Sequence, residues 1–523
     1  MGKSINKVRG TALILGILAI AFAFFTRIVS IFEYVTFDIG PDPDQITLGY
    51  LSMDMWKGNF PQLGPPGGGG KYGFTIPPLY TYLAFPLTIF GTAPEFQVLT
   101  NGLFSFLSIP LLIYFVYQLL ENVEQDKRLL LSSLAGFWYS TIYADYFINN
   151  FSWAPSPIPF FLLVFALLYR FQMETSKPLL YQAIAWIFFG ITVAILVSLH
   201  TTTMLIIPGT SVIACLWFVY RNRKNTIKCL LPFLSILSAN LALIMYWHSE
   251  IVGRFANTRG IVRALTEKGA SGEPSSNLFT RLFKAIWETV YLGNQVFFLN
   301  DNISIFNVVV SAIFFGISLY IVIKKYRGNK TLIGFLAITW IIFLYASSNY
   351  PDEHFYSHRK ILLWFAPILL AIASLAYLNF TKTFHRILAL VLAIIIGYSI
   401  ATNLYFNQRY LASKYGSERL LSVADTVEII NQIPAGSTLC DPAKKGKRKE
   451  HGQYDYIDTF MTKRELMITN ACPSGSYYIQ PKFKMAIQMN DLFPIFTLVK
   501  TSPLDRPMTS LLETPEAYLY KIE

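Results

Sequence analysis

The sequence predicts an all-α polytopic membrane protein of about eleven transmembrane helices, followed by a small extracytoplasmic α/β domain. Three observations predict it. Only 14% of the 523 residues are charged while 53% are hydrophobic, with a mean hydropathy of +0.43; a soluble domain carries about 25% charged residues. Long apolar runs recur through residues 11–405. Basic clusters occupy alternate short loops between those runs. A net charge of +12 alone would suit a nucleic-acid partner, but basic residues confined to such loops fit membrane orientation, and no nucleic acid is expected.

The first run covers 11–32 and follows Lys3, Lys7 and Arg9, which places the N-terminus in the cytoplasm. The run exceeds the roughly 7–15 residues of a signal-peptide core, so it reads as a span. Further runs cover 97–119, 129–144, 156–170, 180–199, 202–220, 229–247, 304–323, 331–347, 361–379 and 386–405. Each is near the roughly 20 residues of a tilted membrane helix. Basic groups at Lys127-Arg128, Arg170 to Lys177, Arg221 to Lys224, Lys324 to Arg327 and Lys382 to Arg386 all then fall on the cytoplasmic side. The segments 33–96, 145–155, 248–303, 348–360 and 406–523 fall outside, with His200 at a short external turn.

The chain divides into a transmembrane domain, 1–405, and a C-terminal domain, 406–523. In the latter, Ser417 to Gln432 has helical periodicity and stops at Pro434-Ala435-Gly436. Strand-like runs follow at Ser437–Cys440, Tyr477–Gln480, Ile495–Val499 and Ala517–Ile522. Cys440 and Cys472 would lie in an oxidising compartment, where a disulfide between them is expected. No CxxC or Cys/His cluster suggests structural zinc.

The first external loop holds the densest chemistry. Asp38, Asp42 and Asp44 precede a run in which Leu48, Leu51 and Met55 share a helical face, the pattern of a short helix lying on a membrane. Asp44 either caps that helix or serves as a base toward a hydroxyl, with a divalent cation as a further option. The run Gly64 to Gly70 suits neither helix nor strand. It reads as a linker, or as a hinge that lets Lys71 fold back over a site. His354, His358, Arg359 and Lys360 crowd the entry to another span. They read as snorkelling anchors or as a phosphate site, for which Arg offers two parallel donors. His200, and Asp145 with Asn149 and Asn150, have default structural readings as interfacial and turn residues.

These segments together resemble the GT-C superfamily of integral-membrane glycosyltransferases, in the bacterial branch related to family-39 protein O-mannosyltransferases and aminoarabinose transferases. The resemblance rests on Asp44-Gln45, Trp56 to Pro66, Pro77-Pro78-Leu79-Tyr80-Thr81-Tyr82, Phe151-Ser152-Trp153-Ala154-Pro155-Ser156, Leu199-His200-Thr201 and His358-Arg359-Lys360. It covers roughly residues 10–405 and is most specific in the first 210. It implies a polyprenyl-phosphate sugar donor, a glycan, lipid or protein acceptor, an extracytoplasmic site in the cytoplasmic membrane and inversion at the anomeric carbon. Asp44 would be the catalytic carboxylate. Arg359, His358, His200 and Lys71 would hold the donor phosphate. Asp42, Gln45, Tyr80, Asp145 and Trp153 would position substrates. The chain departs from the pattern in two places. Gln45 stands where many members have Glu, and Ala154-Pro155-Ser156 lacks their second Asp, so a two-aspartate metal site is not expected. A lipid-linked-sugar flippase and a non-catalytic envelope scaffold are the other two readings. Charges at helix ends rather than mid-membrane, and the lack of a repeat, disfavour the former.

Overall fold

Backbone N–H and C=O groups find no water in a bilayer, so an apolar run must satisfy them within a helix. All eleven apolar runs contain one. The computed structural model describes residues 2–32, 43–64, 74–92, 94–149, 154–174, 177–266, 280, 305–348, 365–379, 381–415, 420–442, 453–488, 495–502 and 504–523. The helices that overlay the runs are α1 (Gly2–Arg27), α4 (Pro94–Leu119), α5 (Gln125–Thr141), α7 (Ile158–Met173), α8 (Leu179–Leu199), α9 (Thr201–Arg221), α10 (Thr226–Ala242) with α11 (Ile244–Val252), α13 (Ile305–Lys325), α14 (Lys330–Ser348), α15 (Phe365–Tyr377) and α16 (Thr383–Tyr415). Between them lie α2 (Pro43–Met55), α3 (Leu79–Ala84), α6 (Tyr143–Asn149) and α12 (Ala256–Thr266).

Among the described residues, four helices are long and apolar enough to cross a membrane, namely those built on α1, α4, α8 and α16. A fifth arises if α10 and α11, bent by 65° at their junction, count as one broken span. Large apolar side chains face outward from the bundle, including Leu180, Phe188, Leu216, Phe233, Ile323 and Leu390. Apolar exposure this extensive belongs against lipid rather than water, and the protein is an integral membrane protein.

One continuous core fills the bundle, with Trp138, Trp186, Phe115, Phe165 and Phe189 fully buried. Close helix approach depends on small residues. A Cβ at Gly102 of α4 would lie 2.0 Å from the Arg27 carbonyl of α1, so no larger residue fits there.

The helix α16 runs ten residues past the predicted end at 405, to Tyr415. The reason is a buried face spaced by three or four residues: Asn403, Asn407, Tyr410 and Lys414. Asn407 Nδ2 donates to the Thr141 carbonyl (2.7 Å) and Asn403 Oδ1 accepts from the Tyr143 amide (2.8 Å). Lys414 Nζ donates to the Ser30 carbonyl (2.8 Å). Asn403 and Asn407 satisfy backbone groups left over where α5 ends and α6 begins, and Lys414 satisfies one just past the end of α1. The expected domain boundary at 406 therefore falls inside a continuous helix.

The C-terminal module holds α17 (Val423–Asn431), α18 (Gln453–Ile457) and strands β1 (Thr438–Cys440), β2 (Met467–Thr469), β3 (Tyr477–Pro481), β4 (Phe483–Gln488), β5 (Ile495–Lys500), β6 (Met508–Glu513) and β7 (Ala517–Ile522). Five strands form one sheet in the order β2-β1-β3-β7-β6, and β4 pairs with β5 apart from it. β1 is parallel to β2 and β3, while β7 is antiparallel to β3 and β6. A reciprocal cap starts α17: Ser422 Oγ accepts from the Asp425 amide, and Asp425 Oδ2 accepts from the Ser422 amide. Its apolar face, with Ile429 and Ile430, packs on Leu439, Ile479 and Leu519 of the sheet. Cys440 and Cys472 are joined by a disulfide. The module sits on the ends of α1 and α4, where Val423 packs with Ile31 and Val98. β2, β4 and β6 correspond to no strand expected from the sequence.

Candidate active site

Among the described residues, the first loop holds α2, α3 and a 3-10 helix, Phe85–Phe90, on the module-bearing end of the bundle. α2 begins at Pro43, which is favoured in a first helical turn because its missing N–H has no partner there. That puts Asp44 and Gln45 in the first turn of α2, where a carboxylate is favoured by the helix dipole. The sequence suggested that α2 lies on the membrane through Leu48, Leu51 and Met55. It instead packs between protein elements, touching α3, the start of α4 and α18. Ser52, Met53 and Met55 are buried.

The chain after α2 is tied down at several points. Trp56 Nε1 donates to Thr88 Oγ1 (2.9 Å) and Tyr82 OH to the Pro61 carbonyl (2.9 Å). The Gly64 amide donates to the Ile76 carbonyl (2.9 Å). Asn257 of α12 brackets Thr75 by accepting from its amide and donating to its carbonyl. Asn257 Nδ2 also donates to Tyr246 OH (2.7 Å) on α11. So the first loop and the 248–303 segment, separate in sequence, meet at one hydrogen-bonded junction. A cavity of about 330 Å³ lies beside it, lined among others by Phe60, Leu79, Tyr82, Leu243 and Tyr246.

Of the remaining candidates, Tyr80 is buried on α3 and its hydroxyl donates to Asn101 Oδ1 of α4 (3.0 Å). α3 also packs against α8, whose C-terminal cap is His200. His200 is half-buried, with an extended backbone (φ −160°, ψ 152°) that separates α8 from α9. Its carbonyl accepts from Thr203 Oγ1 and the Met204 amide. α3 thus packs against α2, α4 and α8. Asp42, Lys71, Trp153, His358 and Arg359 lie outside the described residues, as do the side chains of Asp44 and Gln45.

Asp145, expected to position substrate, is bonded internally. It is 1% exposed and pairs with Arg27, which is fully buried. Arg27 Nη2 and Nε each lie 2.9 Å from Asp145 Oδ2. Ser105 Oγ donates to the same oxygen (2.6 Å), and Tyr139 OH donates to Oδ1 (2.9 Å). Arg27 further donates to Thr26 Oγ1 and to the Ser140 and Tyr139 carbonyls. A charge buried this deeply needs such a full set of partners. Arg27 was legible as the one cation inside the first apolar run, but its partner was not.

Glu250 is a second carboxylate that sequence reasoning passed over. It is buried, and Oε2 accepts from the Thr258 amide (3.2 Å) and hydroxyl (2.9 Å) in the first turn of α12. That is a helix-capping geometry. Arg254, Arg259 and Arg263 are exposed around α12. Among the described residues, no three His, Cys, Asp or Glu side chains converge as a metal site.

The sequence matches no family model and no curated protein. The fold does find neighbours. The structure superposes on ArnT from Cupriavidus metallidurans bound to undecaprenyl phosphate with a TM-score of 0.53, covering 96% of this chain and 97% of that chain at 11% identity. The chain has the GT-C fold. The apo state of the same ArnT gives a TM-score of 0.51 with the same coverage. The Archaeoglobus fulgidus oligosaccharyltransferase AglB, in complex with an inhibitory peptide and a dolichol-phosphate, gives 0.44 at 13% identity, covering 88% of this chain and 64% of that one. At 11% identity the likeness to ArnT shows the fold alone.

Proposed function

We propose that this protein is a membrane glycosyltransferase that moves a sugar from a polyprenyl-phosphate donor to an extracytoplasmic acceptor. The observation that supports this best is the GT-C architecture matched along nearly the whole chain to a transferase holding undecaprenyl phosphate. In this reading the protein sits in the cytoplasmic membrane with about eleven spans, its N-terminus inside and the C-terminal module outside.

The chemistry follows from the expected residues. An acceptor hydroxyl attacks the anomeric carbon while the bond from that carbon to the phosphate oxygen breaks. Asp44 takes the hydroxyl proton, which makes the oxygen a better nucleophile. Polyprenyl phosphate departs from the opposite face, so the configuration inverts. Arg359, with His358, His200 and Lys71, stabilises charge developing on the leaving phosphate. Asp42, Gln45, Tyr80 and Trp153 orient the reactants, an effect worth several powers of ten when the geometry is held. A polyprenyl phosphate is already a good leaving group, so the chain has no need of a nucleotide-binding fold.

Reconstitution tests the proposal. Purified protein in liposomes is given a panel of radiolabelled polyprenyl-phosphate sugars with extracts of envelope lipids and glycans as acceptors. Consumption of one donor with label appearing in an acceptor is the expected result. Label that crosses the bilayer on an intact donor would instead make the protein a flippase.

A further inference from the structure

The C-terminal module touches the helix that carries Asp44, and it does so through a built aromatic clasp. Tyr50 of α2 meets Tyr456 edge-on (ring centroids 5.6 Å, 88°) and Phe460 (5.3 Å, 65°). Tyr456 and Phe460 also pack on each other at 4.9 Å. Lys57, just past α2, lies 5.6 Å above the Phe460 ring. The clasp is anchored to the bundle on its far side. Gln97 Nε2 of α4 donates to Tyr456 OH (2.8 Å), and that hydroxyl donates to the Thr92 carbonyl (2.8 Å). Thr92 Oγ1 donates to the Phe460 carbonyl (3.1 Å).

The module's half is stiff. α18 continues into one wide π-turn, Asp458–Thr462, which re-aims Phe460. The buried Asp458 carboxylate fixes that turn by accepting from Thr462 Oγ1 (2.7 Å), the Arg464 amide (2.9 Å) and the Leu466 amide (2.7 Å). The helix's half has a matching feature. A Cβ at Gly49 would lie 3.1 Å from the Tyr456 ring and 3.3 Å from Gln97 Oε1, so the bare glycine is what lets α2 seat against both.

We propose that Tyr456 and Phe460 of the C-terminal module are positioning residues that set the rotation and tilt of α2 and thereby the placement of Asp44. The proposal rests on the transferase reading given above. Six residues separate Asp44 from Tyr50, about 9 Å along a helix rising 1.5 Å per residue. A side chain extends to about 5–6 Å from its helix axis, so a 10° roll of α2 displaces the Asp44 carboxylate by about 1 Å. Misplacement of about 1 Å can cost on the order of 100-fold in rate.

The test compares full-length Tyr456→Ala, Phe460→Ala and Gly49→Leu with native protein and with Tyr456→Phe. It reads kcat, donor KM, and amide hydrogen exchange over residues 43–55. Gly49→Leu leaves the module's own sequence intact and raises helix propensity, so a loss there is not a folding defect of the module. Expected are kcat losses of about 100-fold with KM held within about 2-fold, the split of a group acting on transition-state geometry. Faster exchange in α2, with β3 and β7 unchanged, accompanies them in Tyr456→Ala. Tyr456→Phe keeps the rings and recovers most of the rate. Unchanged exchange in α2 for Tyr456→Ala, or native kcat in both Tyr456→Ala and Gly49→Leu, overturns the clasp. Should native protein transfer no sugar at all, the transferase reading fails, while exchange in α2 still decides whether the module holds that helix.

Discussion

Replacing Asp145 by Asn should cost about 3–5 kcal/mol of stability, the range for removing one partner of a buried ion pair. The structure explains why the cost sits there. Asp145 Oδ2 accepts from Arg27 Nε, Arg27 Nη2 and Ser105 Oγ. An amide turned to place its nitrogen at that position would set N–H groups against three donors. Turned the other way, it puts them against the Tyr139 hydroxyl that donates to Oδ1. Either way the Arg27 charge stays buried without its counter-charge, because neither side chain reaches solvent. The pair joins α1, α4, α5 and α6, so its loss loosens the end of the bundle on which the module sits. Unfolding of purified protein in mixed micelles, titrated with denaturing detergent, reads the free energy. The double variant Arg27→Met/Asp145→Leu removes both charges and should be destabilised by less than the sum of the two singles, giving a coupling energy of about 2–3 kcal/mol. An Asp145→Asn protein within about 1 kcal/mol of native, or strictly additive singles, would refute this account of the pair.

Two further outcomes concern the C-terminal module and the helix α2 that it touches. Cys440→Ser/Cys472→Ser should destabilise the module by about 3–4 kcal/mol, since the disulfide closes a 32-residue separation and removes that loop's entropy from the unfolded chain; differential scanning calorimetry with and without reductant checks it. Burial, with Asp455 and Asp54 adding to it and Thr459 opposing, pushes the Tyr50 phenol up from 10.0 to about 12. The unfolded phenol releases its proton first, so the stability that Tyr50 contributes is complete below pH 10 and is lost as pH rises to 12. The protection factors of the α2 amides, which remove the intrinsic pH dependence of exchange, should therefore fall across that window in native protein and stay flat in Tyr50→Phe.

The fold was largely legible because its strongest constraint is a bulk one. Every apolar run had to become helix. The apolar run ends at 405 while its helix continues to Tyr415, because the buried face of 406–415 is largely polar. Asn407 and Lys414 meet backbone carbonyls of α5 and the α1 terminus, partners more than 260 residues away that no local pattern announces. β2 was missed for a similar reason: three residues, Met467–Thr469, carry no alternation of their own and become strand only by pairing with β1. In the candidate site, helix α2 follows from local sequence. The pairing of Asp145 with Arg27, the Asn257 bracket on Thr75 and the Tyr456 contact with Tyr50 are long-range choices. A buried arginine at the end of an apolar run was the one signal that could have pointed to the first of them.

The measurement that bears most directly on the central claim is sugar transfer by native protein and Asp44→Asn, side by side in liposomes with the donor that native protein accepts. Removing a general base lowers rate by about 10²–10⁴-fold, and the account predicts a loss of that size with α2 exchange and unfolding free energy unchanged. Equal transfer by the two proteins would contradict it, and would place the catalytic carboxylate elsewhere in the first loop, with Asp42 next to be tested.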